Sequence, residues 1–253
     1  MSRYFCDLHI HSCLSPCGDD DMTPANIAGM AMLNGLNIVA LTDHNSARNC
    51  PAFFHHAKKY GLIPVPGMEL TTAEDIHIVC LFRTLEDALS FDEFVSSRRP
   101  DYKNKPEIFG HQYLLDENDE IVGEEDTLLV NASDIYIDEA FREVKKLGGV
   151  CFPAHIDRSS NGIISVLGTF PPEPEFTAFE LNKPDSMQIH LEKFPILKNL
   201  VHTVSSDAHR LCDIQEASFS LEISDEPYSS DLVRNKLIDY LSGITHTEVT
   251  SDG

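Results

Sequence analysis

Along this chain, short apolar runs end in histidines and acids at two-residue spacing. They are Asp7-Leu8-His9-Ile10-His11, Thr42-Asp43-His44 and Ser206-Asp207-Ala208-His209, with Glu69, His77 and His155 standing singly between them. In extended chain, side chains alternate, so residues i and i+2 share a face, and His-x-His or Asp-x-His can offer two ligand atoms to one cation. One such doublet would be read as packed, hydrogen-bonded core histidines. Doublets at opposite ends of the chain, with single ligand-type residues between them, constrain the fold further: several strand ends must return to one place.

The order of elements supplies that return. Residues 4–10 read as a buried strand, and Thr23-Pro24 opens a helix to about Asn34, with Thr as N-cap and Pro at the first helical position. Apolar runs at 37–41, 62–69, 75–82, 150–155, 176–181, 200–205 and 219–223 read as strands, and 51–60, 135–147, 184–197 and 230–241 as helical. Repeated alternation of strand and helix argues a parallel sheet covered by helices. His9, His11, His44, Glu69, His155, Asp207 and His209 then fall at or just after the C-terminal ends of their strands, where closed α/β barrels build active sites. His77 is the exception, because it lies early in its run.

A chain of 253 residues suits one large α/β domain. The stretch 85–134 is longer than a simple connection and holds a hairpin signal around Asp116–Asp119, so it reads as an insertion over the active end. With 41 acids against 19 bases, the net charge of -22 repels polyanions and argues against long nucleic acid as a partner. A small phosphorylated substrate or a short nucleotide remains compatible, since metal ions invert the local field. Seven cysteines without Cys-x-x-Cys spacing fit reduced thiols, and no apolar segment is long enough to span a membrane. These features, with no secretion leader visible at the N-terminus, lead us to expect a cytoplasmic location.

The motifs Asp7-Leu8-His9-Ile10-His11-Ser12, Leu41-Thr42-Asp43-His44-Asn45, Gly67-Met68-Glu69, Pro153-Ala154-His155 and Ser206-Asp207-Ala208-His209, with the His77 strand, resemble the polymerase and histidinol phosphatase (PHP) domain family of metal-dependent phosphoesterases. The resemblance implies a distorted (β/α)7 barrel with up to three divalent metals at its C-terminal rim. It further implies that His9, His11, Glu69 and Asp207 hold one metal, that Glu69 bridges to a second held by His77 and His155, and that His44 and His209 belong to a third. The family adds an Asp to the third metal soon after the first motif. Here Ser15 is followed by Pro16-Cys17-Gly18 and then Asp19-Asp20-Asp21, and counting back from Thr23-Pro24 assigns the role to Asp19. Asp20, Asp21 and Cys17 are the lesser candidates.

Imidazole and carboxylate ligands suit Zn, Mn or Fe, and clustered metals suit phosphate ester hydrolysis by metal-activated hydroxide. In that chemistry Glu69, Asp207 and His209 act at the centre, and Arg158, three residues after His155, holds a phosphate oxygen. Asp43 is placed either to orient a ligand imidazole or to cap a helix. The alternatives are an amidohydrolase-like C–N hydrolase, or a non-catalytic domain whose metals stabilise a binding surface. The basic residues Arg98, Arg99, Lys103 and Lys105 are read either as a contact to a second phosphate or as solvated surface.

Overall fold

A computed structural model describes residues 1–244 and 249–251 of the chain. The elements run β1 (Ser2–Asp7), α1 (Pro24–Leu33), β2 (Ile38–Leu41), α2 (Cys50–Lys59), β3 (Ile63–Thr71), β4 (His77–Leu81), α3 (Leu85–Ser96), α4 (Pro106–Phe109), β5 (Tyr113–Leu115), β6 (Ile121–Glu124), α5 (Ile137–Lys146), β7 (Val150–Pro153), α6 (Ile163–Leu167), β8 (Ala178–Leu181), α7 (Met187–Lys193), β9 (Val201–Val204), β10 (Ser220–Ile223), α8 (Ser230–Leu241) and β11 (Val249–Ser251). The fold is mixed α/β. Its main sheet has the order β11-β10-β1-β2-β3-β4-β7, and β5-β6 and β8-β9 form separate pairs.

Strand alternation explains why the central runs read as continuously apolar. Along β2, Ile38 and Ala40 join one buried cluster while Val39 and Leu41 join another; along β4, Val79 and Leu81 separate in the same way from Ile78 and Cys80. Both faces of the sheet are therefore buried, as a strand covered on two sides requires. One face packs against α1, α2, α3 and α5 through Ile27, Phe53, Phe91 and Val144. The other is closed partly by α8 through Val233, Leu237 and Leu241. Thr23 caps α1 as its sequence implies, its hydroxyl accepting from the Asn26 N–H at 3.3 Å.

The expectation of a parallel sheet is corrected at β10, which runs antiparallel to β1 and β11, and at β4. β1-β2 and β2-β3 are parallel, but β4 runs antiparallel to both β3 and β7. The physical reason is the connection: Thr72 to Ile76 closes as a turn, with the Thr72 N–H on the Ile76 carbonyl at 2.9 Å, and so short a link can join only antiparallel strands. This reversal also resolves the anomaly of His77, since the start of β4 lies beside the end of β3 in the pairing Thr71↔His77.

β1 is shorter than its run suggests and ends at Asp7, so His9 and His11 lie on extended chain beyond the strand. That chain is held from the far end of the sequence. The Asp207 N–H donates to the His9 carbonyl and the His11 N–H to the Ala208 carbonyl, each at 3.0 Å. The expected excursion begins with α3, whose Ala88, Phe91 and Val95 are part of the main core. The β5-β6 hairpin rests on the loops that follow β1 and β2: Asn49 bonds the Tyr113 carbonyl and the Leu115 N–H, both at 3.1 Å, and the Tyr113 N–H meets the Cys13 carbonyl at 3.0 Å. Among the described residues no helix is long and apolar enough to cross a membrane.

Gly67 shows how tightly the strands meet below the ligand end. A Cβ there would stand 2.8 Å from the Cys80 carbonyl oxygen and 2.8 Å from Leu81 Cδ2. Gly67→Ala is expected to cost about 1–3 kcal/mol by overpacking, seen by calorimetry of the metal-free protein as a Tm lower by several degrees; an unchanged Tm would contradict this packing.

Candidate metal centre

His9, His11, His44, Glu69 and His155 are buried where strands β1, β2, β3 and β7 deliver their ends, and Asp207 enters from the loop after β9. His9 Nε2 and His11 Nε2 face each other at 3.1 Å. Asp207 Oδ1 stands 3.4 Å from the first and 3.2 Å from the second, and the Glu69 oxygens approach them at 3.4 and 3.3 Å. Ligands at about 2.0–2.2 Å from one ion sit roughly 3.0–3.5 Å apart along the edges of their polyhedron. The four residues therefore fit the first coordination set closely.

Glu69 also reaches the remaining strands. Its Oε1 lies 2.8 Å from His77 Nδ1 and 3.0 Å from His155 Nε2, and its Oε2 lies 3.0 Å from His44 Nδ1. Despite these distances, His44 Nδ1, His77 Nδ1 and Glu69 Oε2 make no hydrogen bond, and Asp207 Oδ1 makes none either. Buried polar atoms that converge without making hydrogen bonds are an arrangement that a cation satisfies. The ligand atoms fall into the groups His9-His11-Glu69-Asp207, His44-Glu69-His77 and His11-His44-His209. His155 touches the centre through Glu69, and His209 stacks on the His11 ring at a centroid distance of 4.2 Å.

Asp19 is not brought into these groups. Its residue is exposed, and its backbone N–H donates to the His209 carbonyl at 2.9 Å. Asp20, Asp21 and Cys17 are exposed as well. His111 stacks on Tyr113 away from the ligands, and His202 packs between Phe179 and Phe219. Of the basic cluster, Arg98 pairs with Asp134 and Glu139, Arg99 with Glu125 and Lys103 with Asp101.

Two supporting carboxylates are buried behind the histidines. Asp43 accepts from the Ser12 N–H, the Ser12 hydroxyl and the Ser15 hydroxyl, all at 2.7 Å, while Ser15 Oγ meets His11 Nδ1 at 3.0 Å. Asp43 therefore orients an imidazole, that of His11, through Ser15, and the N-cap of α2 is Asn49. Glu180, on β8, meets His9 Nδ1 at 2.8 Å. Neither Ser15 nor Glu180 stands out in the sequence, because each lies in a run of ordinary composition and reaches its histidine only through the fold. His155 and Asp207 hold left-handed backbone angles, φ 28° and φ 54°, which cost about 1–3 kcal/mol each and gather at functional sites.

The charges divide the imidazoles into two kinds. Burial pulls His11 down, but Asp207 and Glu69 face it and raise it to about 9, and Glu180, Glu69 and Asp207 together lift His9 well above its usual value against the same burial. Burial lowers His44 to about 3, and burial with the neighbouring His11 charge lowers His209 to about 4. Burial would raise Glu69, yet His77, His9 and His44 hold it well below the carboxylate range. In the metal-free protein the acids thus favour the protonated form of His9 and His11, whereas burial favours the neutral form of His44 and His209.

On the open side, a cleft of about 560 Å³ is lined by Arg158, Asn182, Lys183, Ser206, Asp207 and His209, among others. The Arg158 guanidinium reaches Asp207 Oδ2 and remains half exposed to the cleft.

A proton held on His11 below about pH 9 must leave before the nitrogen can bind a metal, so affinity should rise with pH toward that value. Calorimetry of zinc or manganese binding at pH 7.5 in two buffers of different ionisation heat should show proton release. A heat independent of the buffer would contradict the assignment.

The PHP domain family model matches residues 7–158. An uncharacterized protein of Methanocaldococcus jannaschii is 36% identical over 84 residues, which cover 30% of this chain and 48% of that one, so the match spans about half of that relative. Among solved structures, the lesion-specific endonuclease Q of Pyrococcus furiosus superposes with a TM-score of 0.62 at 18% identity, over 98% of this chain and 58% of that one. A proposed metal-dependent phosphoesterase from Bifidobacterium adolescentis gives 0.57 at 17% identity, over 94% and 96%. At such identities these two show a shared fold. The family match takes in the candidate ligands from His9 to His155, and on it the chain belongs to the PHP domain family.

Proposed function

We propose that the chain is a metal-dependent phosphoesterase acting on a small phosphorylated metabolite or a short nucleotide. Family membership and the ligand groups support metal-dependent hydrolase chemistry. The observation that carries the phosphoester reading is the cleft in which Arg158 and Lys183 stand beside Asp207 and His209. A planar guanidinium at the edge of the candidate ligand groups suits an oxyanion with several equivalent oxygens, and a phosphoryl group can offer oxygens to Arg158 and Lys183 at once.

Within this reading the barrel has seven units, closed by the contacts between the ends of β1 and β9, with β4 reversed and the ligands on the carboxyl rim. Residues 1–253 act as one catalytic domain, and the 85–134 excursion shapes the entrance. His9, His11, Glu69 and Asp207 hold one metal, Glu69, His77 and His155 a second, and His44 and His209 a third. Asp19 would complete the third set once its side chain turns inward from its place beside His209. The metals are two or three ions of Zn, Mn or Fe, and when bound they supply Lewis acidity and activated water. Arg158 orients the phosphoryl group and neutralises part of its charge. His209 lines the same cleft, with its Nδ1 on the Asp207 carbonyl at 2.8 Å.

The net charge of -22 supports a small substrate over long nucleic acid. Endonuclease Q, whose structure is also known in complex with a 27-mer duplex carrying an abasic lesion, pulls against this part of the reading, at 18% identity and with this chain spanning 57–58% of that protein. A cytoplasmic setting agrees with seven free cysteines.

The test is phosphate release from a panel of phosphomonoesters, phosphodiesters and nucleotides, with and without added manganese, alongside ammonia release from amides. The expected result is metal-dependent phosphate release that Asp207→Asn abolishes. Arg158→Ala should raise KM by roughly 10- to 100-fold, the worth of a charged hydrogen bond. Ammonia without phosphate would transfer the chain to the amidohydrolase class, and bound metal without any turnover would make it a binding domain.

A further inference from the structure

Glu180 belongs to none of the ligand groups, yet it is fully buried beside them. Its Oε1 lies 2.8 Å from His9 Nδ1 and also accepts the backbone N–H of His155 at 3.2 Å. Its Oε2 has no hydrogen-bond partner among the described residues. The neighbours along the strand are apolar: Phe179 and Leu181 pack into one core cluster and Ala178 into the other.

A buried carboxylate with an unsatisfied oxygen is costly to fold around, so an acid among these apolar neighbours calls for a reason beyond packing. Its contacts give one. A carboxylate on Nδ1 requires the proton there, which turns the Nε2 lone pair of His9 toward His11, Glu69 and Asp207. The same oxygen holds the His155 N–H, at a residue whose φ of 28° is strained. His9 follows β1 and His155 follows β7, whereas Glu180 sits on β8 in a different sheet pair, so a single side chain registers two ligand-bearing segments against each other.

We propose that Glu180 is a positioning residue of the metal centre: it fixes the Nδ1–H tautomer of His9, strengthens that ligand by its charge, and sets the backbone from which His155 reaches Glu69. The inference rests on the metal-centre reading. His11 is supported differently, through the neutral Ser15 hydroxyl backed by Asp43, so of these two facing imidazoles His9 is the one that a carboxylate supports directly.

The test uses the full chain and Glu180→Gln, which preserves an acceptor oxygen and removes the charge. Zinc and manganese affinities are read by competition with a chromophoric chelator, coordination by the visible absorption of the cobalt-loaded protein, and fold by the Tm of the metal-free protein. We expect affinity for at least one ion to fall about 10- to 100-fold, with an altered cobalt spectrum, and the loss to persist at temperatures where both metal-free proteins are fully folded. Glu180→Leu, which removes both hydrogen bonds, should lose at least as much affinity; if it fails to fold, the glutamine variant decides alone. Parent-like affinity and spectrum in Glu180→Gln would overturn the inference while leaving the metal centre intact. An affinity loss that only follows a lowered metal-free Tm would make the residue structural and overturn it equally. A parent protein that binds no metal would overturn the metal-centre reading and this inference together.

Discussion

The ligand end depends on one buried carboxylate. Glu69 lies on the central strand β3 and meets His9, His11, His44, His77 and His155 within 3.4 Å. Those histidines arrive from four other places in the chain, so Glu69 is the point at which the sheet's ends are brought into register. Burying such a group without a cation costs several kcal/mol. In the metal-free protein part of that cost is offset by protons on His9 and His11, and divalent metals would replace those protons with more charge and fixed geometry. Binding and folding are thereby coupled, and the strained backbones of His155 and Asp207 are held in place by bonds to Glu180 and His9.

Much of this was legible in the sequence because strand alternation and turn chemistry are local. The helix beginning at Thr23-Pro24 and the apolar strands β2, β3 and β7 follow from residue pattern alone. So does the convergence of His9, His11, His44, Glu69, His155 and Asp207, since each candidate ligand lies near or beyond the C-terminal end of a strand. The direction of β4 was not legible from apolar periodicity, which is the same for both orientations. The shortness of the Thr72–Ile76 link was the available signal, and it would have turned His77 from an exception into an expected ligand. The supporting residues were hidden for a different reason. Glu180 and Ser15 act on histidines through contacts that need β8 and the first loop to be in place, and no spacing rule announces them.

Counting along the first loop reaches Asp19 but says nothing of where its side chain lies, and the residue is exposed in the structure. The Ser15-Pro16-Cys17-Gly18 turn shifts the acids relative to His11, and the backbone of Asp19 is what meets His209. The basic cluster of the excursion teaches the complementary lesson. Arg98, Arg99 and Lys103 find acids nearby, as expected in a chain with 41 acids and 19 bases, whereas Lys183 and Arg158 line the cleft beside the ligands. Positive charge near the chemistry is thus concentrated on the β7–β8 side, where it can steer a small anion against the overall field.

The central claim is that the side chains of His9, His11, Glu69 and Asp207 enclose a metal ion. It is tested most directly by anomalous diffraction from crystals of protein loaded separately with manganese and zinc, collected at each absorption edge. The account predicts an anomalous peak about 2.0–2.3 Å from His9 Nε2, His11 Nε2 and the two carboxylates, with further peaks beside His77 and His155 or beside His44 and His209. Loaded crystals with no peak among these residues, or with peaks only at exposed surface acids, would contradict it.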